Sequence, residues 1–215
     1  MKLSENKVIQ ALDGLATFAL ILYIVFFIVQ LFNSSPKSSR AVKSYKVYQV
    51  KLESKHKETD SEDYLKSWFN DQIVVQNTNR GLVHLRFVSY AELFSLPSIL
   101  FQVSIFVYWL LIGVAIFFAQ RLFRSFRKDE VFTQQNAWAI MASSLILISL
   151  PISRWISQEF FLNCINALHI NDSNYTLSNG ENLLTSETII GLVLMAFSWV
   201  FKIGVDIKKE NESFV

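Results

Sequence analysis

The sequence predicts an α-helical integral membrane protein with four transmembrane helices and a small extracytoplasmic α+β insert between the first and the second. The 215 residues are 52% hydrophobic, with a mean hydropathy of +0.31. Only 6 residues are Gly and 19 are Phe, so the apolar excess lies in large side chains that suit a bilayer. Charged segments separate four long apolar runs, and a soluble fold of this size could not bury all of them. The runs predict spans at about residues 8–32, 99–120, 136–153 and 187–206.

The first span, within residues 1–33, is expected to be an uncleaved anchor. Its apolar run is longer than the roughly 7–15 residues of a signal-peptide core, and no A-x-A-like cleavage site follows it. Asp13 lies about one turn inside this span, and an acid within a membrane segment is a candidate functional residue. The alternative is that Asp13 reaches lipid headgroups or pairs with a basic side chain near the boundary. Its position favours this second interpretation.

Residues 34–98 are predicted to form the small α+β insert. Residues 46–53 alternate between apolar and polar side chains, which is typical of a strand with one wet face. The spacing from Thr59 to Glu62 fits a capping box that opens a helix. Residues 82–90 are again strand-like, and Gly81 is available for a positive φ in a hairpin turn before them.

The second span is predicted to continue as a basic helix end. Arg121, Arg124 and Lys128 share one helical face at positions i, i+3 and i+7. One interpretation is a helix end whose long side chains reach anionic headgroups. The other is a docking surface for a cytoplasmic partner. Thr133 is the predicted N-cap of the third span.

The third span carries a small-xxx-small pair, Ala139 and Ser143, which predicts close approach of another helix. Pro151 is expected to kink its outer end. Apolar residues then recur at helical spacing over residues 155–168, which predicts an amphipathic extension on the outer surface. Residues 171–185 are predicted to be a polar loop.

The distribution of Lys and Arg predicts the orientation, because positive residues in short loops stay in the cytoplasm. An even number of spans places both termini and the connection after the second span on one side, and all three are basic. We therefore expect a multi-pass protein of the inner (cytoplasmic) membrane with cytoplasmic N- and C-termini. In the three-span region 99–215, loop 121–136 and tail 206–215 would be cytoplasmic.

No catalytic constellation assembles in the sequence. The motifs of metalloproteases, serine hydrolases, P-loop proteins and C-x-x-C proteins are missing, and the three histidines lie far apart. One cysteine, Cys164, excludes a multi-cysteine metal site. We therefore expect no enzyme activity, no catalytic residue, no metal and no cofactor. The net charge of +2 is too small to argue for direct binding of nucleic acid.

Transport by a single chain is disfavoured, because the predicted spans hold almost no charge at midplane depth. A channel or transporter subunit that works as a homo-oligomer stays open as the alternative. Its polar seam would have to come from four side chains: Gln102, Ser104, Ser143 and Ser144.

Two stretches at the predicted inner face resemble a known family. Residues 121–136 read RLFRSFRKDEVFTQQN, and residues 201–215 read FKIGVDIKKENESFV. They resemble the basic helix end with a G-x-x-F-[ST]-x-x-N-like turn, and the F-x-x-G-x-x-[LI]-K-x-E-x-x-L-T-V end, of bacterial domain-of-unknown-function family 2975. The four-span layout matches too. An acid, Asp129 or Glu130, replaces the glycine of the turn, the final L-T-V is Ser-Phe-Val, and the resemblance covers mainly residues 99–215.

The resemblance implies a small bacterial membrane protein of a kind often encoded beside a small helix-turn-helix regulator. It thereby suggests a membrane partner that holds or tunes a transcription factor. The resulting hypothesis is a non-catalytic interaction or sensor-type module that sits in the lipid bilayer and binds a cytoplasmic regulatory protein at its inner face. The candidate partner-binding residues are Arg121, Arg124, Arg127, Lys128, Phe132, Asn136, Lys208 and Lys209.

Overall fold

The computed structural model describes residues 6–32, 42–54, 80–168 and 175–213. Within these residues the fold is mainly helical, with one small sheet. The elements in chain order are α1 (Lys7–Phe32), β1 (Lys43–Ser54), β2 (Arg80–Phe87), α2 (Tyr90–Leu93), α3 (Leu96–Arg127), α4 (Gln134–Ala167), β3 (Tyr175–Ser178) and α5 (Ser186–Ser213). Four described helices, α1, α3, α4 and α5, are long and apolar enough to cross a membrane, which confirms the four predicted helices.

The long helices extend beyond the predicted spans. Helix α3 continues through the basic stretch to Arg127, as predicted, and α4 continues through Pro151 to Ala167. The predicted extension at residues 155–168 is therefore part of one helix with the third span. Thr133 caps α4, because its Oγ1 accepts a hydrogen bond from the backbone N–H of Asn136 at 3.2 Å, which confirms the predicted N-cap.

The chain divides into two compact units. The helical unit comprises Met1–Ser34, Ser104–Arg154 and Asn182–Val215, and the sheet unit comprises Ser35–Val103 and Trp155–Glu181.

Small residues set the helix contacts of the helical unit. A Cβ on Gly191 of α5 would lie 2.9 Å from the carbonyl oxygen of Ser144 in α4. One heptad further along α5, the Ser198 hydroxyl donates to the carbonyl of Ala137, at 3.3 Å. The contact positions are seven apart on both helices, the repeat of a left-handed helix pair. These contacts use Ser144 and Ala137 of α4, and close approach of a helix at the predicted pair, Ala139 and Ser143, stays a prediction.

The sheet unit contains an antiparallel sheet with strand order β2-β1-β3. The strand β3 lies inside residues 171–185, which the sequence predicted to be a polar loop. It pairs with the end of β1 from Lys51↔Ser178 to Ser54↔Tyr175. A four-residue strand leaves little periodicity in the sequence, so its pairing with β1 is decided by tertiary contacts.

A β-bulge interrupts the predicted alternation of β1. The pairing with β2 shifts between Val47 and Val50, and Gln49 between them has a φ of 58°. Tyr48 is therefore 61% exposed while Val50 is fully buried, although strict alternation predicted both on one face. Gly81 lies within β2 and pairs with Val50, so the structure places it in the strand and not in the predicted turn. The predicted capping box and hairpin turn lie outside the described residues.

Gln158 of α4 fastens the loop after β3 to the bulge of β1. Its side-chain nitrogen donates to the carbonyl of Tyr48 at 3.1 Å, and its oxygen accepts from the backbone N–H groups of Gly180 and Glu181 at 2.8 and 3.2 Å. A Cβ on Gly180 would lie 2.0 Å from the carbonyl oxygen of Gln49, so only glycine fits there.

Candidate interaction surface at the end of helix α3

A tight backbone turn ends α3. The N–H of Glu130 donates to the carbonyl of Ser125, and the N–H of Asp129 donates to that of Phe126, both at 3.1 Å. This pair of bonds is a Schellman motif, and Asp129 has the left-handed φ of 62° that the motif requires. Asp129 lies three residues before Phe132, at the position where the G-x-x-F pattern has glycine. The turn thus explains why a glycine suits this position.

Asn136, which lies near the start of α4, holds the backbone turn after α3 in place with its side chain. Its amide nitrogen lies 2.6 Å from the carbonyl oxygen of Glu130, 2.9 Å from that of Val131 and 3.0 Å from the Ser125 hydroxyl. The Ser125 hydroxyl in turn donates to the Glu130 carbonyl at 2.9 Å. Asn136 is 3% exposed, so its role among the described residues is to hold the loop in shape.

Phe132 joins this loop to α5. Its ring stacks on Phe201 with centroids 5.0 Å apart, and a Cβ on Gly204 would lie 3.0 Å from its ring. Phe201 also stacks with Phe126 of α3 at 6.3 Å. The two stretches that carry the family resemblance therefore pack against each other. Phe132 nevertheless remains 47% exposed.

Asp13 pairs with Arg127, as the second interpretation of this acid predicted. The Oδ2 atom of Asp13 lies 3.0 Å from Nη1 of Arg127, and Asp13 is 5% exposed. The other carboxylate oxygen has no hydrogen-bond partner among the described residues. One turn further along α1, Thr17 accepts a hydrogen bond from the Gln120 amide at 3.4 Å. These contacts tie α1 to the end of α3, and the ion pair keeps a buried charge compensated.

The three basic residues predicted on one face of α3 line a single pocket of about 320 Å³. The Arg121 guanidinium donates to the Gln135 side chain at 3.1 Å. Among the described residues, neither Arg121 nor Arg124 nor Lys128 forms an ion pair, although Glu130 lines the same pocket. The lining consists of Phe117, Gln120, Arg121, Arg124, Ser125, Lys128, Glu130, Gln135 and Asn136.

The structure thus divides the predicted partner-binding set into four groups. Arg121, Arg124, Lys128 and Asn136 line the pocket, Arg127 pairs with Asp13, and Phe132 stacks on α5. The remaining two residues, Lys208 and Lys209, are exposed in the last turns of α5. Sequence reasoning missed the roles of Ser125 and Gly204, because each depends on a contact with a different element. Binding of a partner by any of these residues stays a prediction.

Two of the four polar side chains proposed for an oligomeric seam, Ser144 and Gln102, form contacts within their own units. The Ser144 hydroxyl donates to the carbonyl of Met141 at 2.6 Å, and Ser144 is fully buried. In the sheet unit, Gln102 accepts from the Tyr45 hydroxyl and donates to the carbonyl of Leu93, both at 2.9 Å. No group of three or more His, Cys, Asp or Glu side chains that could hold a metal occurs in the part of the chain that the structure describes.

These features define a mainly helical protein whose four long apolar helices are able to span a membrane. The family model described as protein of unknown function (DUF2975) matches residues 57–215, and the chain belongs to that family. The match begins inside the insert, so it extends further than the region 99–215 on which the resemblance rested. Searches of curated proteins and of solved structures found no match.

Proposed function

We propose that this protein is a non-catalytic interaction module of the cytoplasmic membrane that binds a cytoplasmic protein at the end of α3. The observation that carries the proposal is the ring of Phe132, which is half-exposed and stacks on Phe201 of α5. Partly exposed aromatic side chains held in fixed positions are typical anchors of protein interfaces. We call Phe132, Lys208 and Lys209 together the Phe132 surface.

The ring of Phe132 and the loop that carries it are held in place before any partner binds. Phe201 and Gly204 hold its ring from α5, and Asn136 fixes the loop from α4. A side chain that is already ordered loses little conformational entropy on binding, so more of the contact energy appears as affinity.

The charge around Phe132 favours an acidic partner on the cytoplasmic side. Lys208 follows Gly204 by four residues, about one helical turn, and Lys209 is its neighbour. Both are exposed, and the positive-inside rule supports a cytoplasmic location. The family resemblance supports a small helix-turn-helix regulator as the partner, recognised through an acidic surface with an apolar depression for the ring.

Site-specific photocrosslinking in the native host tests this proposal. A photoreactive phenylalanine analogue replaces Phe132 in one strain and Phe197, which is 61% exposed on α5, in a control strain. We expect a discrete adduct with one soluble protein at position 132 and none at position 197. We also expect the adduct to disappear in the variant K208Q/K209Q. Arg127 is left unchanged, because its removal would leave Asp13 buried without its partner.

The other outcomes contradict the proposal. Lipid adducts alone at position 132, or the same adducts at both positions, would show that Phe132 faces the bilayer. Adducts only between copies of this chain would favour the oligomeric alternative.

A further inference from the structure

The pocket at the end of α3 has an excess of positive charge. It is lined by three cations, Arg121, Arg124 and Lys128, and by one carboxylate, Glu130. Among the described residues, none of the three cations is held in an ion pair. Like charges crowded on one helical face repel each other, so an anion in the pocket would lower the electrostatic energy of this site.

The donors in the pocket suit a phosphate group. Arg121 and Arg124 are able to present planar pairs of N–H groups, which match two phosphate oxygens at once, and Lys128 adds a point charge. The lining also includes Ser125 and Asn136, which the hydrogen bonds of the turn hold in place. A volume of about 320 Å³ lies at the lower end of the range for small-ligand sites, roughly 300–1,000 Å³.

The pocket lining includes one apolar side chain, Phe117, which favours a lipid over a free anion. Phe117 lines the pocket and is 46% exposed, and it lies in α3 just before the polar stretch that begins at Gln120. The exposed apolar side chains of α3 continue away from the pocket through Leu110 and Val107. A molecule with a phosphate head and acyl chains would therefore meet cations at one end and an apolar helix face at the other.

We propose that this pocket binds the phosphodiester headgroup of an anionic phospholipid, with Arg121 and Arg124 on the phosphate and the acyl chains along α3 past Phe117. The site is separate from the Phe132 surface, since Phe132, Lys208 and Lys209 do not line the pocket. A lipid bound here would bridge α3 and the start of α4, because Gln135 lines the same cavity.

Lipid titration of the full chain in detergent, read by native mass spectrometry and by thermal unfolding, tests the proposal. The probes are phosphatidylglycerol, phosphatidylcholine and inorganic phosphate. We expect phosphatidylglycerol to remain bound and to raise the unfolding temperature, with phosphatidylcholine much weaker. The variant R121Q/R124Q should bind phosphatidylglycerol about 25-fold more weakly, because each of the two basic residues near an anionic headgroup contributes about a factor of five to the affinity.

The matched control removes the same charge elsewhere. Lys46 and Arg86 are exposed on the sheet, and K46Q/R86Q should bind phosphatidylglycerol like the parent. The variant R121K/R124K keeps the charge but loses the paired N–H groups, so intermediate binding is expected and guards against misfolding of the glutamine variant. Equal loss in the control variant, no preference for phosphatidylglycerol, or equal stabilisation by inorganic phosphate would each overturn the proposal.

Discussion

The substitution N136A should loosen the loop that carries Phe132. The Asn136 amide nitrogen contacts two carbonyls and one hydroxyl, at 2.6, 2.9 and 3.0 Å, but it has only two hydrogens to share among them. Both carbonyls keep a second donor after the substitution, because the Ser125 hydroxyl reaches that of Glu130 and the Thr133 N–H reaches that of Val131. The substitution therefore removes the two hydrogen bonds that the two hydrogens can form, which lowers the free energy of unfolding by about 1–3 kcal/mol.

Two measurements check this value. Denaturant unfolding in detergent micelles reports the global change, and hydrogen exchange of the backbone N–H groups in residues 128–133 reports the local one. The exposed neighbour Gln134 supplies the control, since Q134A should change the free energy of unfolding by less than about 0.5 kcal/mol. The variant N136D keeps the size but removes the donors, so it should cost at least as much as N136A. If N136A resembles Q134A in both measurements, the hydrogen bonds of Asn136 do not hold the loop.

Three further predictions concern backbone strain, close contact and pH. The substitution D129G should raise the free energy of unfolding by up to about 1 kcal/mol in denaturant unfolding, because glycine adopts the left-handed turn without the cost that Asp129 bears; a loss would argue against strain there. The substitution G180A should lower the stability of the sheet unit by at least about 2 kcal/mol through its clash with Gln49, whereas G14A, with nothing within 4 Å, should not destabilise the protein; equal effects would refute the contact. Burial raises the pKa of Tyr45 to about 12, so its folded pKa lies above the unfolded value near 10, and stability should fall as pH rises from about 10 to 12. Absorbance titration of tyrosinate in the parent and in Y45F would check this. The parent should contain one tyrosine that ionises near pH 12, and this late ionisation should be missing in Y45F; late ionisation that persists in Y45F would refute the assignment to Tyr45.

The four long helices could be predicted from the sequence because a membrane span depends on length and hydropathy, which are local properties. The Thr133 cap is likewise local, since its partner Asn136 lies three residues away. The turn at Asp129 could be predicted in part, because an acid occupies the position where the family pattern has glycine. Only the backbone geometry showed that this position needs a positive φ.

Long-range contacts account for what the sequence could not predict. Asp13 and Arg127 are 114 residues apart, so the sequence indicated a basic partner for the acid but not which one. The bulge at Gln49 depends on the pairing of β1 with β2, and the strand β3 exists through its pairing with β1. The pocket around Arg121 could be predicted only in part, because helical spacing placed the cations together, whereas Gln135 and Asn136 of the lining come from α4.

The most direct test of the proposed function is whether the Phe132 surface lies in the cytoplasm and is covered there. A thiol introduced as E130C lies two residues from Phe132 and leaves the Phe132 surface unchanged, and the native Cys164 is fully buried. The measurement is the rate at which a membrane-impermeant maleimide labels this thiol in membranes of the native host. We expect no labelling in intact cells, slow labelling in gently prepared inverted vesicles, and fast labelling after a high-salt wash that screens the lysine contacts and removes the partner. Labelling from outside intact cells, or an equal rate before and after the wash, would contradict a partner-binding surface on the cytoplasmic side.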